Sequence, residues 1–404
     1  MSADADIAGT GLRAIDFGRD LLLTDLYQLN MVDAYLGTGT TETAVFEFFV
    51  RDLPPRRGFL MAAGLAQLVE FLASARVSEE EIAWLRASGH VTDRLVEYLR
   101  GFRFTGDVDA MPEGTVCFGD EPLVRITAPM PEAQLVETRL INFLQFQTLV
   151  ATKAARMALA APGRGLVDFG LRRAHSGESG LLAARAAYLA GFAGTATVPA
   201  GQRFGIPLYG TMAHSYVQAH ESETGAFLDF ARAKPEQTVF LIDTYDTLRG
   251  ARRVAEIAPT LAAEGIGVRG VRIDSGDLAE GARAVRAILD EAGLDDSRIV
   301  ASGGLDERRL AALTEAEAPI DVYGVGTSLV VSGDMPALDC AYKLKAYAGV
   351  PQRKLSESKS YWPGPVQVWR RRDGSGRIAE DLLAAADEPA PGPGWRALLA
   401  PVIR

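Results

Sequence analysis

Ile206-Pro207-Leu208-Tyr209-Gly210-Thr211-Met212-Ala213-His214-Ser215-Tyr216-Val217 is the stretch on which the fold and chemistry of this chain turn. Its first four residues make a short apolar run that reads as a buried strand, and the Gly-Thr pair breaks it where the chain turns outward. Histidine is scarce: the chain has 4, and His214 and His220 lie in or just beyond this stretch. A histidine just past the carboxyl end of a strand stands where α/β folds build their active sites. Neutral imidazole is a nucleophile toward phosphorus and also a general base. A buried histidine satisfied by a neighbouring carbonyl is the plain alternative, and the stretch alone leaves both open.

Outward from His214 the chain alternates strand and helix. Strands are expected at 166–169, 195–198, 206–210, 238–242, 268–273, 298–302 and 320–325. About seven strands alternating with helices make a parallel sheet, either a barrel or an open doubly wound one. Runs such as Val239-Phe240-Leu241-Ile242 suit strands covered on both faces. Upstream, residues 131–160 read as a long helix, and 1–130 as a compact α/β domain. That domain is expected to hold a helix opening at Thr24-Asp25 and closed by Gly37, a strand over 43–50 and a helix over 61–75. A capping box at Ser78 and Glu81 and a β meander over 106–129 follow. Residues 1–20 are polar and patternless, a loose lead-in. Past Tyr342 the alternation stops, and Arg371-Arg372-Asp373-Gly374-Ser375-Gly376 reads as a turn. The expected division is therefore 1–130, an α/β domain; 131–345, the parallel-sheet domain; and 346–404, a segment packing back on the first.

Composition narrows the function. The 404 residues carry a net charge of −10, which argues against a nucleic-acid groove. Small phosphates remain accessible to such a chain through backbone N–H nests and a few arginines. Two cysteines, Cys117 and Cys340, match no metal or redox spacing and read as thiols of a reducing cytoplasm. No basic n-region followed by an apolar run opens the chain, and no apolar stretch is long enough to span a bilayer.

The residues at the expected strand ends form a set. Phe169, Gly170, Arg172 and Arg173 follow the first strand, His214 the third, and Asp243 and Asp246 the fourth. Arg272 and Asp274-Ser275-Gly276-Asp277 close the fifth, Ser302-Gly303-Gly304 the sixth, and Gly324-Val325-Gly326-Thr327-Ser328 the seventh. Singly, each has an ordinary meaning: a solvated charge, a tight turn, a core aromatic. Together, two glycine-rich strand ends resemble a phosphate cradle, and arginines grip carboxylate or phosphate bidentately. Carboxylates at Asp243 and Asp274 suit orienting a histidine, holding Mg²⁺ through water or stabilising a developing cation. These residues point to an enzyme of a sugar phosphate or nucleotide with His214 in a chemical role.

Seven ordered blocks also carry a family resemblance. They are Leu23-Thr24-Asp25-Leu26-Tyr27-Gln28-Leu29, Val45-Phe46-Glu47-Phe48-Phe49-Val50-Arg51, Asp168-Phe169-Gly170-Leu171-Arg172-Arg173-Ala174, Gly210-Thr211-Met212-Ala213-His214-Ser215, Arg272-Ile273-Asp274-Ser275-Gly276-Asp277, Gly324-Val325-Gly326-Thr327-Ser328 and Tyr342-Lys343-Leu344. From Leu22 nearly to the C-terminus the chain resembles the nicotinate phosphoribosyltransferases. The resemblance implies an N-terminal α/β domain completed by C-terminal segments, beside an incomplete, TIM-like α/β barrel. It also implies transfer of phosphoribose from 5-phosphoribosyl 1-pyrophosphate to nicotinate, coupled to ATP hydrolysis through a phosphohistidine at His214.

By the same blocks, Asp243 would orient His214, while Phe169 and Tyr27 would sandwich the pyridine ring. Thr211 and Arg272 would lie near nicotinate, and Asp274 by the ribose or its Mg²⁺-bound pyrophosphate. Arg172 would hold phosphate, and Ser302-Gly303-Gly304 with Gly326-Thr327 would cradle the 5-phosphate. Tyr27 would reach the site from the second subunit of a homodimer. Ala196 stands where relatives using the uncharged amide carry an aspartate, which favours nicotinate over nicotinamide. Nicotinamide phosphoribosyltransferase is the nearest rival; quinolinate phosphoribosyltransferase lacks the ATP-linked histidine. A catalytically inactive homologue serving as a metabolite sensor is the alternative of a different class.

Overall fold

The computed structural model describes residues 20–53, 57–354 and 362–404. All but the last residue of the 1–20 lead-in lies outside that range. Two compact units divide the chain: Met1–Phe146 with Leu338–Arg404, and Gln147–Ala337. The first crossing falls inside the 24-residue helix Glu137–Ala160 and not at 130/131, and the second falls before residue 345. The long helix expected from 131 is in fact two, Met130–Leu135 and Glu137–Ala160.

In the first unit the strands are β1 (Thr43–Val50), β2 (Leu60–Met61), β3 (Asp107–Ala110), β4 (Val116–Cys117) and β5 (Pro122–Pro129). β1 takes the expected bounds because its β-branched and aromatic residues pack on a pleated surface, and six of its eight residues are buried. The first helix, Leu26–Thr38, runs past Gly37 and ends at Gly39, which adopts φ 71°. Gly37 stays helical beside the Arg94 guanidinium, whereas Gly39 supplies the left-handed turn. Ser78 and Glu81 do form the reciprocal capping box, opening the helix Glu79–Ser88. The 61–75 expectation resolves into β2 and a shorter helix, Leu65–Ser74.

Across the second unit run β6 (Gly165–Asp168), β7 (Gly194–Thr195), β8 (Val239–Leu241), β9 (Gly270–Ile273), β10 (Arg298–Ser302) and β11 (Val322–Val325). They form one parallel sheet in the order β7-β6-β11-β10-β9-β8, so the last strand pairs with the first. The expected strand over 206–210 is reduced to a single parallel bridge, Thr195↔Leu208. Pro207 has no N–H to donate, and only its carbonyl and the Tyr209 N–H bond to Thr195. The strand expected over 195–198 is likewise cut short, because Val198 opens the helix Val198–Phe204 with Pro199 in its first turn.

After Ala337 the chain returns to the first unit. Here β12 (Cys340–Tyr347) and β13 (Val350–Pro351) extend a sheet of order β13-β12-β1-β5-β3-β17. β14 (Val366–Arg372), β15 (Ile378–Ala385) and β16 (Trp395–Ala397) make a separate three-stranded sheet, and β17 (Ala400–Ile403) pairs with β3. The β14–β15 hairpin turns where Asp373 accepts from Ser375 and Arg377. Phe46 stacks on Tyr342 at 4.8 Å, and the Tyr342 hydroxyl donates to the Ala133 carbonyl. Both cysteines are free thiols, Cys117 buried and Cys340 half-buried, and burial pushes each pKa up. Among the described residues no helix is long and apolar enough to cross a membrane.

Candidate active site

The parallel sheet carries the expected residues to its carboxyl ends. His214 opens the five-residue helix His214–Gln218, beyond the bridge at Leu208. Its Nδ1 lies 3.1 Å from the Thr244 hydroxyl, and its Nε2 lies 4.0 Å from Asp243 Oδ1. The imidazole is 42% exposed while the Asp243 carboxylate is 1% exposed, so one charge is fixed behind an open ring edge.

Asp243 follows β8 and ties that strand end to the next. Its Oδ2 accepts from the Asp274 N–H at 2.8 Å and from the Ser275 hydroxyl at 2.6 Å. Its Oδ1, the oxygen facing His214, has no hydrogen-bond partner. That leaves an acceptor free for an imidazole N–H. Asp274 passes the linkage on, because its Oδ1 accepts from the Ser302 hydroxyl at the end of β10. Gly303 adopts φ 93°, and a Cβ there would fall 2.1 Å from the Asp274 carbonyl oxygen. Only glycine allows that approach.

Arg272, the third residue of β9, donates to the Thr211 hydroxyl. Burial, with Arg172 adding like charge, lowers its pKa against the opposing pull of Asp274 and Asp243. Its Nε is buried without a partner, which leaves a donor for an anionic group. Arg172 is exposed in the 3₁₀ turn Leu171–Arg173. Phe169 is half-buried, and its ring rests on Gly324, where a Cβ would fall 2.4 Å from two ring carbons. Gly326 caps the four-residue helix Thr327–Val330, with Thr327 exposed, and a Cβ there would fall 3.3 Å from the Phe169 carbonyl oxygen. Gly304, at φ 61°, lies beside Arg309, which donates to the carbonyls of Gly303 and Gly304. Ala196 is exposed at the end of β7, its N–H held by the Asp168 carbonyl at 2.8 Å.

Two residues of the expected set serve their own helices. Asp246 and Asp277 cap helices, accepting from Arg249 N and from the N–H groups of Ala279 and Glu280. Tyr27 belongs to the first unit. It is 50% exposed, and its hydroxyl accepts from Gln28, which also donates to Glu137. Burial, Glu137 and Asp25 raise its pKa. Sequence reasoning missed Thr244, the hydrogen-bond partner of His214 Nδ1, and Asp168, a fully buried carboxylate. The only signal for either was its place beside a residue already chosen.

Comparison with known proteins shows the family. A family model for the nicotinate phosphoribosyltransferase N-terminal domain matches residues 22–145, and one for the nicotinate phosphoribosyltransferase family matches 165–353. A nicotinate phosphoribosyltransferase of Mycobacterium tuberculosis is 52% identical over 371 residues, spanning 92% of this chain and 80% of that protein. One of Bacillus subtilis is 41% identical over 375 residues, spanning 91% and 76%. The crystal structure of human nicotinic acid phosphoribosyltransferase aligns with a TM-score of 0.84 at 30% identity, covering 94% of this chain and 88% of that one. With these matches along its length, this chain belongs to the nicotinate phosphoribosyltransferase family.

Proposed function

We propose that this chain joins nicotinate to 5-phosphoribosyl 1-pyrophosphate, giving nicotinate mononucleotide and pyrophosphate, and couples the transfer to ATP hydrolysis through phosphate on His214. The observation that carries the reading is the solvent-facing His214 ring, with Thr244 at Nδ1 and the free oxygen of buried Asp243 facing Nε2. The ring nitrogen's lone pair bonds to the γ-phosphorus of ATP as ADP leaves, and water later takes the phosphoryl group from the imidazole. In the transfer itself, the pyridine nitrogen bonds to ribose C1 while the C1–O bond breaks and its electron pair leaves with pyrophosphate. Positive charge grows on the ribose, which a fixed carboxylate at Asp274 stabilises. Phe169 holds the weakly nucleophilic ring in line with C1, a gain from positioning. Arg272 and Thr211 receive the nicotinate carboxylate, Arg172 a phosphate, and Ser302, Gly303, Gly304, Gly326 and Thr327 the 5-phosphate.

Magnesium suits this site as an ion borne mainly by the pyrophosphate. Asp274 offers one carboxylate, and among the described residues no group of three or more His, Cys, Asp or Glu could hold a metal. Bound there, the ion would neutralise charge on the leaving group. The uncharged Ala196 supports nicotinate over nicotinamide, since an aspartate there would repel a carboxylate. We read the parallel sheet as an incomplete, TIM-like barrel, broken between the Leu208 segment and β8; the pairing of β11 with β6 supports this. The working unit would be a cytoplasmic homodimer, each site taking Tyr27 from the partner.

The reading is tested by following pyrophosphate release, which should require nicotinate and exceed that with nicotinamide by a large factor. With γ-labelled ATP the wild type should give an acid-labile phosphoprotein and His214→Ala none. Equal labelling of the variant, or preference for nicotinamide, would overturn it.

A further inference from the structure

Asp168 is the last residue of β6 and is fully buried. Its Oδ1 accepts from the Gly170 N–H at 2.8 Å, and its Oδ2 accepts from the Thr195 hydroxyl at 2.7 Å. Its carbonyl accepts from the Ala196 N–H at 2.8 Å, and the Thr195 oxygen in turn accepts from the Thr197 N–H at 3.0 Å. One side chain therefore grips the turn carrying Phe169 and, through Thr195, the turn carrying Ala196. The Thr195 hydroxyl thus accepts from Thr197 and donates its own proton to Asp168. Both carboxylate oxygens must then accept, which an ionised carboxylate does and an amide does not. No ion pair is recorded for it among the described residues, and burial raises its pKa while Thr195 and Gly170 pull it back. A buried carboxylate without a counter-charge is costly to a fold, so its place between these two turns calls for a function.

We propose that Asp168 is a positioning and specificity-determining residue, whose carboxylate clamps the Phe169 turn and the Ala196 turn into one rigid seat for a flat anionic ring. Phe169 supplies the stacking face and Ala196 the uncharged wall, and the clamp fixes their spacing. This rests on the nicotinate reading above. The substrate class it selects is a planar heteroaromatic carboxylate, because a loosened seat also admits the amide.

The test compares wild type, Asp168→Asn, Thr195→Val and the double variant. Each single variant should raise KM for nicotinate about tenfold, the equivalent of one lost hydrogen bond to a charged group, and leave KM for phosphoribosyl pyrophosphate within about twofold. The preference for nicotinate over nicotinamide should fall, and the double variant should be no worse than Asp168→Asn, since both break one interaction. Amide hydrogen exchange at Gly170, Ala196 and Thr197 should quicken in Asp168→Asn. A folded variant with unchanged KM for nicotinate, or a parallel loss in both KM values and kcat, would overturn the proposal. Thr195→Val provides the same readout if Asp168→Asn does not fold. Should the wild type not use nicotinate at all, the functional reading fails by itself. Exchange at those three amides then decides the clamp: faster supports it, unchanged refutes it.

Discussion

Replacing Asp243 by asparagine removes one charge and leaves the shape of the site. The amide oxygen can still accept from Asp274 N and Ser275 Oγ, as Oδ2 does now, so the β8 and β9 ends stay joined. The amide NH₂ then faces His214 Nε2, where a bare carboxylate oxygen lies at 4.0 Å. Two effects follow: the electrostatic support of a positive imidazole is lost, and an N–H on Nε2 meets another donor. Unit charges at that separation interact by about 4 kcal/mol at the dielectric near a protein surface. Because the imidazole is 42% exposed, screening cuts this to about 1–2 kcal/mol. Phosphorylation of His214 should slow about 5–30-fold. The assay is the initial rate of acid-labile labelling from γ-labelled ATP, with the melting temperature as a check on folding. Labelling of a folded Asp243→Asn protein at the wild-type rate would refute any action of the carboxylate on the imidazole.

Three further outcomes are expected. Ala196→Asp should raise KM for nicotinate by like-charge repulsion and narrow the gap to nicotinamide; unchanged nicotinate affinity would show that this position does not face the ring. Tyr27→Ala and His214→Ala proteins, each poor in the ATP-coupled reaction, should recover about a quarter of all sites when refolded as an equal mixture, since mixed dimers keep one undamaged site. Exchange of subunits without recovery rules out sharing. Glu121 is pushed up to about 7 by burial and by the neighbouring Asp381 carboxyl, against the Phe118 N–H and Arg370. It takes up a proton on folding, so its contribution to stability is full below about 4.5 and is lost as pH rises through about 7. Glu121→Gln should therefore stabilise the protein at pH 8 by about 1–2 kcal/mol and do little at pH 4, as read by denaturant unfolding.

Local pattern and family blocks made much of this protein legible from its sequence. The apolar runs of the second unit placed β6, β8, β9, β10 and β11 within a few residues, because strands covered on both faces need continuous burial. The capping box at Ser78 and Glu81 was legible because both partners lie within one turn. His214, Asp243 and Asp274 stood out as scarce or charged residues at strand ends. What the sequence could not determine is which distant groups meet. The 206–210 run looked like a strand, yet only Leu208 bridges, since a strand is made by its neighbours and by the N–H that Pro207 lacks. Gly37 and Gly39 are equal as letters, and only the backbone path gave Gly39 the positive φ. Thr244 and Asp168 lie 30 and 27 residues from the side chains they bond, His214 and Thr195. The register of β6 with β7 closes the second distance, and the path of the loops beyond the Leu208 bridge and β8 closes the first; no local window of sequence contains either.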